Sequence, residues 1–259
     1  MDWKQLVWVV AAAWGCGISA EPSKPASEAA PAPDYAALVN PFVGTSKMGH
    51  VYPGATVPFG SVQLSPQTGY EPVIGPDGRY NPEAYGYCAG YQYRDSTILG
   101  FAHTAFSGTG HSDLGDVLLM PVTGEVPWPA EAPTEWASGF SHDREEASPG
   151  FYAVHLDRYG VDARLTATER VGVHEYAFPA GSRAQVVVDL AYNIYHHAGK
   201  NVWTTLRVEN DSTITGMRMT HGWARSRVVH FALRLSEPLV AVQTSRRDDF
   251  TYNGFYRRF

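Results

Sequence analysis

The stretch FYAVHLDRYGVDARLTATERVGVHEYAF, residues 151–178, carries three short apolar runs parted by turn-forming residues: Tyr152–Leu156, Arg164–Thr168 and Val173–Phe178. In the first run Tyr152, Val154 and Leu156 recur at every second position, the period of a strand with one face buried. The same period appears in Val186/Val188/Leu190, Met217/Met219 and Phe231/Leu233/Leu235. Further short runs lie at Val117–Val122, Gln185–Leu190, Thr205–Val208, Ile214–Thr220, Val228–Leu235 and Leu239–Val242. No window of fifteen residues holds a 3.6-residue apolar stripe. Many short strands without helices predict an all-β fold, an antiparallel β-sandwich.

Composition fits that class. Of 259 residues, 44% are hydrophobic and 18% charged, enough apolar material for a sizeable core. The formal net charge is -6, and the lysines are Lys4, Lys24, Lys47 and Lys200, so no basic surface is expected to track a phosphate backbone and nucleic acid is not an expected partner. Aromatics make up 13%, including 15 Tyr and 7 Trp, a composition suited to strands and to flat surfaces for sugars or peptides. With Cys16 and Cys88 as the two cysteines, neither a disulfide framework nor a thiolate zinc site is expected.

Residues 1–20 read as an export signal: Lys4, an apolar stretch from Leu6 to Trp14 too short to span a bilayer, then Gly15, Cys16, Gly17, Ser19 and Ala20. Cleavage after Ala20 and cleavage before Cys16, with a lipid anchor on its sulfur, are two routes open to this leader. Residues 21–34, EPSKPASEAAPAPD, form a Pro/Ala-rich linker with no aromatic to bury. The sandwich domain is therefore expected over 35–259, in an exported protein.

From Tyr35 to about Arg94, repeated Gly and Pro predict ordered loops with short strands. Polar and aromatic residues concentrate in Asn40–Pro66 and in Tyr85–Asp116, where Gly108 and Gly110 allow close backbone approach beside His103, Thr104, Ser107, Thr109, His111, Ser112, Asp113 and Asp116. Such density suits a polyhydroxylated ligand, and it equally suits loops whose side chains satisfy their own backbone. Tyr85, Tyr87, Tyr91, Tyr93 and Trp203 are the candidates to stack on a sugar, with core packing as the competing reading. A zinc site from His50, His103 and His111 matches no ligand spacing, and Asp113 with Asp116 lacks the register of a calcium loop. Ser107 lies outside any G-x-S-x-G turn, and neither nucleotide-binding glycine motif occurs.

Three blocks carry a family resemblance: VNPFVGTSKMGHVYPGATVPFGSVQLSPQTG (39–69), CAGYQYRDSTILGFAHTAFSGTGHSDLGDVLLMPVTGEV (88–126) and FSHDREEASPGFYAVHLDRYGVDARLTATERVGVHEYAFP (140–179). In order and spacing they resemble the N-terminal domain of glycoside hydrolase family 92, from about Tyr35 to about Pro238. The resemblance implies an exported, calcium-dependent, inverting exo-α-mannosidase acting on mannose-containing glycans. It implies a β-sandwich packed on a C-terminal (α/α)6 barrel that carries the acid, the base and most calcium ligands. The barrel is absent from these 259 residues, so the segment alone is expected to be inactive and no catalytic residue or metal ligand is assigned to it. Inversion needs two carboxyl groups roughly 6.5–9.5 Å apart, and Glu145 and Glu146 read as structural or solvated carboxylates.

The resemblance places substrate contacts at Tyr85, as an aromatic wall, and at His103, Ser107, Gly108, Thr109 and Gly110, which would line the pocket or brace the interface with the barrel. Tyr85 stands where many relatives carry Trp, and Ala105 where they carry a second His, a departure that bears on linkage specificity. Asn40, Phe42, Gly44 and His50 match the first block as loop or interface residues. The competing reading is a non-catalytic carbohydrate-binding sandwich.

Overall fold

The computed structural model describes residues 33–108, 113–128, 130, 132–197 and 199–244. The leader, most of the linker and Cys16 lie outside the described residues. In chain order the strands are β1 (Ala55–Thr56), β2 (Gln63–Gln67), β3 (Thr97–Ile98), β4 (Gly100–Ala102), β5 (Leu118–Thr123), β6 (Ser138–Gly139) and β7 (Glu145–Ser148). They continue as β8 (Phe151–Leu156), β9 (Val161–Ala167), β10 (Gly172–Ala177), β11 (Ala184–Asp189), β12 (Asn201–Asn210), β13 (Thr213–Thr220) and β14 (Arg227–Arg234). A short α-helix, α1 (Pro82–Tyr85), starts with the Asn81 side chain accepting from the Glu83 amide and with proline in its first turn.

Every pairing is antiparallel. One sheet runs β1-β2-β4-β5-β11 and a second runs β10-β9-β8-β7; β12-β13-β14 form a third, and β3 pairs with β6. The decisive stretch folds as its period requires: β9 alternates buried and exposed along its whole length, and its partner β8 buries Tyr152, Val154 and Leu156. Those side chains meet Leu64, Phe101, Met120 and Val122 from the first sheet, which makes the sandwich core. The all-β expectation therefore holds.

β2, β4 and β5 are buried on both faces, so β5 reads as a continuous apolar run and β2, Gln63-Leu64-Ser65-Pro66-Gln67, shows no apolar alternation. That is why β2, with Pro66 inside it, lay hidden in a Gly/Pro-rich segment. Gly54 is required where the chain crosses β2: a Cβ there would stand 2.2 Å from the Leu64 carbonyl oxygen.

Two strand expectations differ from the structure. Val117 precedes β5 in a left-handed conformation, φ 52°, instead of opening the strand. Leu239–Val242 is not a strand: the Leu239 amide donates to the Asp211 carbonyl at the β12–β13 turn, and Val240 is fully exposed. An apolar run without a sheet edge to join does not become a strand.

Beneath the second sheet, the Glu145 carboxylate is 1% exposed and accepts hydrogen bonds from Tyr91 (2.9 Å), Tyr152 (2.7 Å) and His142 Nδ1 (2.5 Å). Burial and the neighbouring carboxylate push both phenols up from their ordinary pKa. Glu145 is thus structural, as its sequence position suggested, and it ties β7 to β8 and to the segment before β3. Glu145→Ala strands two buried hydroxyls, and its unfolding free energy in urea is expected to fall by about 3–5 kcal/mol. A loss below about 1 kcal/mol would show that the latch is dispensable.

Candidate functional site

The polar segment that follows β4 leaves and re-enters the sandwich through a narrow neck. The His103 amide donates to the Asp116 carbonyl at 2.9 Å, and the Gly115 amide to the Thr104 carbonyl at 2.9 Å. Thr104 Oγ1 accepts from the Asp116 amide (3.0 Å) and donates to Asp116 Oδ2 (2.6 Å). One hydroxyl therefore serves both chains of the neck, a local use of threonine that competes with ladder formation and ends β4.

Asp116 is the anchor of this neck. Its carboxylate, 1% exposed, is gripped by the Arg227 guanidinium of β14 and lies 3.5 Å from Arg218 Nη1 of β13. Burial alone would raise its pKa; the hydrogen bond from Arg227 and the charges of Arg218 and Arg227 outweigh that and hold it below the usual carboxylate range. Arg218, itself 1% exposed, also donates to the Asn201 amide oxygen (2.8 Å) and to the Gly115 carbonyl (3.1 Å). Lys200 Nζ reaches Asp113 Oδ1 at 3.3 Å. The three-stranded sheet thus holds the loop by charge.

His103 enters a second network. Its Nδ1 lies 2.7 Å from the Val117 carbonyl, its Nε2 3.0 Å from His174 Nε2, and His174 Nδ1 2.7 Å from the Tyr176 hydroxyl. A carbonyl only accepts, which fixes the protons in order: Tyr176 donates to His174, His174 to His103, and His103 to Val117. Both rings are held neutral. Burial lowers the pKa of His103, only partly offset by the Val117 carbonyl, and burial plus the neighbouring imidazole lower that of His174 further.

A third cluster surrounds Tyr85 at the end of α1. Its ring packs edge-on against His50, centroids 4.9 Å apart, and is 39% exposed. His50 in turn holds Gly108: the Gly108 amide donates to the His50 carbonyl at 2.9 Å, and His50 Nδ1 donates to the Gly108 carbonyl at 3.2 Å. Behind Tyr85, the buried Cys88 thiol donates to the Tyr85 carbonyl and meets the Tyr195 hydroxyl, and burial raises its pKa, so it is no nucleophile. Nearby, a small polar cleft of about 170 Å³ is lined by Lys47, Met48, Pro82, Glu83, Gly86, Gln92 and Arg94.

The structure therefore brings Tyr85 and Gly108 together across His50, with the exposed Ser107 adjoining Gly108 in the chain. His103 stands apart from them as a brace, both ring nitrogens engaged within the protein. Thr109 and Gly110, with His111 and Ser112, lie outside the described residues. His174 and Tyr176 were missed as polar partners although their two-residue spacing on β10 was the available signal. Tyr87 donates to Asp95 (3.0 Å), Tyr91 is fully buried, Tyr93 stacks on His142, and Trp203 lies on β12 at 37% exposure.

Calcium does not fit the described residues. Asp113 and Asp116 are matched by Lys200, Arg218 and Arg227, and no three His, Cys, Asp or Glu side chains among the described residues converge as a metal cage. The same engagement within the protein removes His103 from a zinc set.

A two-layer β-sandwich with a loop-borne platform of aromatic and hydrogen-bonding groups is the class this geometry defines. The chain belongs to glycosyl hydrolase family 92, matching the Glycosyl hydrolase family 92 N-terminal domain over residues 38–254. It is similar to a family 92 α-mannosidase from Bacteroides thetaiotaomicron solved in complex with mannoimidazole: 38% identity and TM-score 0.69, covering 79% of this chain and 26% of that one. A family 92 inverting mannosidase from the same species is 28% identical, TM-score 0.52, over 71% of this chain and 22% of the other. An uncharacterized secreted glycosidase of Arthroderma benhamiae is 29% identical over 150 residues, 56% of this chain and 18% of that protein. The chain spans about a quarter or less of the length of these relatives.

The histidine relay makes stability depend on pH. With both folded-state pKa values lowered, the folded chain binds fewer protons than the unfolded one below the ordinary histidine value near 6.5. Stability is then complete above that value and falls as pH drops, by up to about 1.4 kcal/mol per pH unit for each histidine. In urea titrations from pH 7.5 to 5, His174→Phe is expected to flatten this slope. An unchanged slope would show that the pair does not titrate with folding.

Proposed function

We propose that this chain builds the N-terminal part of the sugar pocket of an exported exo-α-mannosidase, one that removes terminal α-mannosides from N-glycans or mannans with inversion. The observation that carries the reading is the platform of Tyr85, His50 and Gly108: an accessible aromatic ring beside a fixed hydrogen-bonding loop. A ring of this kind packs on the C–H face of a pyranose while polar loop atoms meet its hydroxyls. The similarity to a mannosidase solved with mannoimidazole supports mannose as that sugar.

In this reading Tyr85 is the wall of the pocket, Ser107 and Gly108 line it, and Thr109 and Gly110 continue that lining by their sequence match. His103 braces the loop from behind. Two of the chain's buried carboxylates, Glu145 and Asp116, are taken up by phenols, an imidazole and guanidinium groups, which leaves neither able to protonate a leaving oxygen or activate water. The acid, the base and the calcium are accordingly assigned to a C-terminal (α/α)6 barrel. The leader over 1–20 and linker over 21–34 support export, with Cys16 as the alternative anchoring point, and 35–259 as the sandwich domain.

Incubated with an aryl α-mannoside and calcium, the 259-residue chain is expected to release no mannose. Measurable turnover would overturn the assignment of the chemistry to the barrel. In calorimetric titration with mannoimidazole, Tyr85→Ala is expected to weaken binding about three- to tenfold. Equal affinity of the variant would remove Tyr85 from the pocket.

A further inference from the structure

His50 combines features that its structural contacts leave unexplained. It is 6% exposed, it holds a left-handed backbone at φ 51°, and its Nε2 is buried without a hydrogen-bond partner. A non-glycine residue keeps positive φ where its surroundings over-determine it. They do so here: the Gly108 amide fixes the His50 carbonyl, the Gly49 amide bonds the Ser46 carbonyl, and Gln92 clamps Lys47 by both its amide and its carbonyl at 2.7 Å each. Nδ1 faces the Gly108 carbonyl and so carries a proton, which in the neutral imidazole leaves Nε2 as the acceptor. His103 and His174, by contrast, engage both ring nitrogens within the protein. A buried acceptor held rigidly with no internal donor calls for a donor from outside.

We infer that His50 Nε2 accepts a hydrogen bond from a hydroxyl of the bound pyranoside, beside the Tyr85 ring that packs on the same sugar. This rests on the sugar-pocket reading and adds to it the residue that selects a hydroxyl. The chemistry follows from the lone pair: it receives O–H donors and repels carboxylates and phosphates. The imidazole lies directly behind the Tyr85 ring, which is 39% exposed, so a sugar packed on that ring comes up to His50.

The test is ¹⁵N NMR of the histidine ring nitrogens in the full 259-residue chain, titrated with methyl α-mannoside. His50 Nε2 is expected to show the signal of an unprotonated nitrogen and to shift as the sugar binds. His50→Asn, which tolerates the left-handed backbone, is expected to lower the affinity about tenfold. A protonated Nε2, or one unmoved at saturating sugar while resonances near Tyr85 shift, overturns the inference and leaves the pocket standing. If no resonance in the chain responds to the sugar, inference and pocket fall together.

Discussion

A single buried carboxylate organises the polar end of this molecule. Asp116 sits between Arg218 and Arg227 with Thr104 as a further donor, and folding has taken the charges of Asp116 and Arg218 out of water while Arg227 stays partly exposed. Desolvating an ion costs several kcal/mol even after relaxation, so the cluster is weak as a source of net stability. Its effect is geometric. It fixes the neck through which the loop after β4 leaves the sandwich, and it binds β13 and β14 to that neck at defined points. Removing Asp116 would leave two guanidinium groups facing each other without an anion between them, so the members form one unit.

The two networks that meet at the neck divide the work. The carboxylate cluster grips the loop from the three-stranded sheet, while the histidine relay grips it from β10 in the second sheet. Between them lies Val117, a β-branched residue with positive φ whose carbonyl closes the relay. Such a backbone persists only where neighbours on both sides forbid the alternatives. The residues beyond the neck are thereby presented from a rigid base, as a binding loop requires.

Part of the fold was legible because one-sided burial leaves a period of two in the sequence, as in β8, whose alternating Tyr152, Val154 and Leu156 are the buried side chains. In β13, by contrast, the alternating Met217 and Met219 are only half-buried and the buried positions are Ile214, Arg218 and Thr220. In the first sheet β5 showed as a continuous apolar run and β11 by its alternation, while β2, buried on both faces and carrying Pro66, left no strand signal. At the site, Tyr85 and Gly108 could be picked out as loop residues of suitable chemistry, but their meeting across His50 is a property of the fold alone. Arg218 and Arg227 do not stand out in sequence, where strand arginines usually face water, since their partner lies on the order of a hundred residues away. The run Leu239–Val242 shows the converse, an apolar pattern to which the structure supplies no ladder.

The separation of Asp116 from Arg227, 111 residues along the chain, also imposes an order on assembly. During synthesis at about 5–20 residues per second, roughly 6–22 s pass between the carboxylate and the guanidinium that completes its shell. Through most of that interval β4 and β5 can pair and the core can begin to close, but until Arg218 and then Arg227 emerge the neck holds a carboxylate without either arginine. Closure of the neck is therefore a late event, set when the third sheet arrives. Truncating the chain before β14 would leave the sandwich its core residues while withholding the clamp that gives its polar end a single conformation.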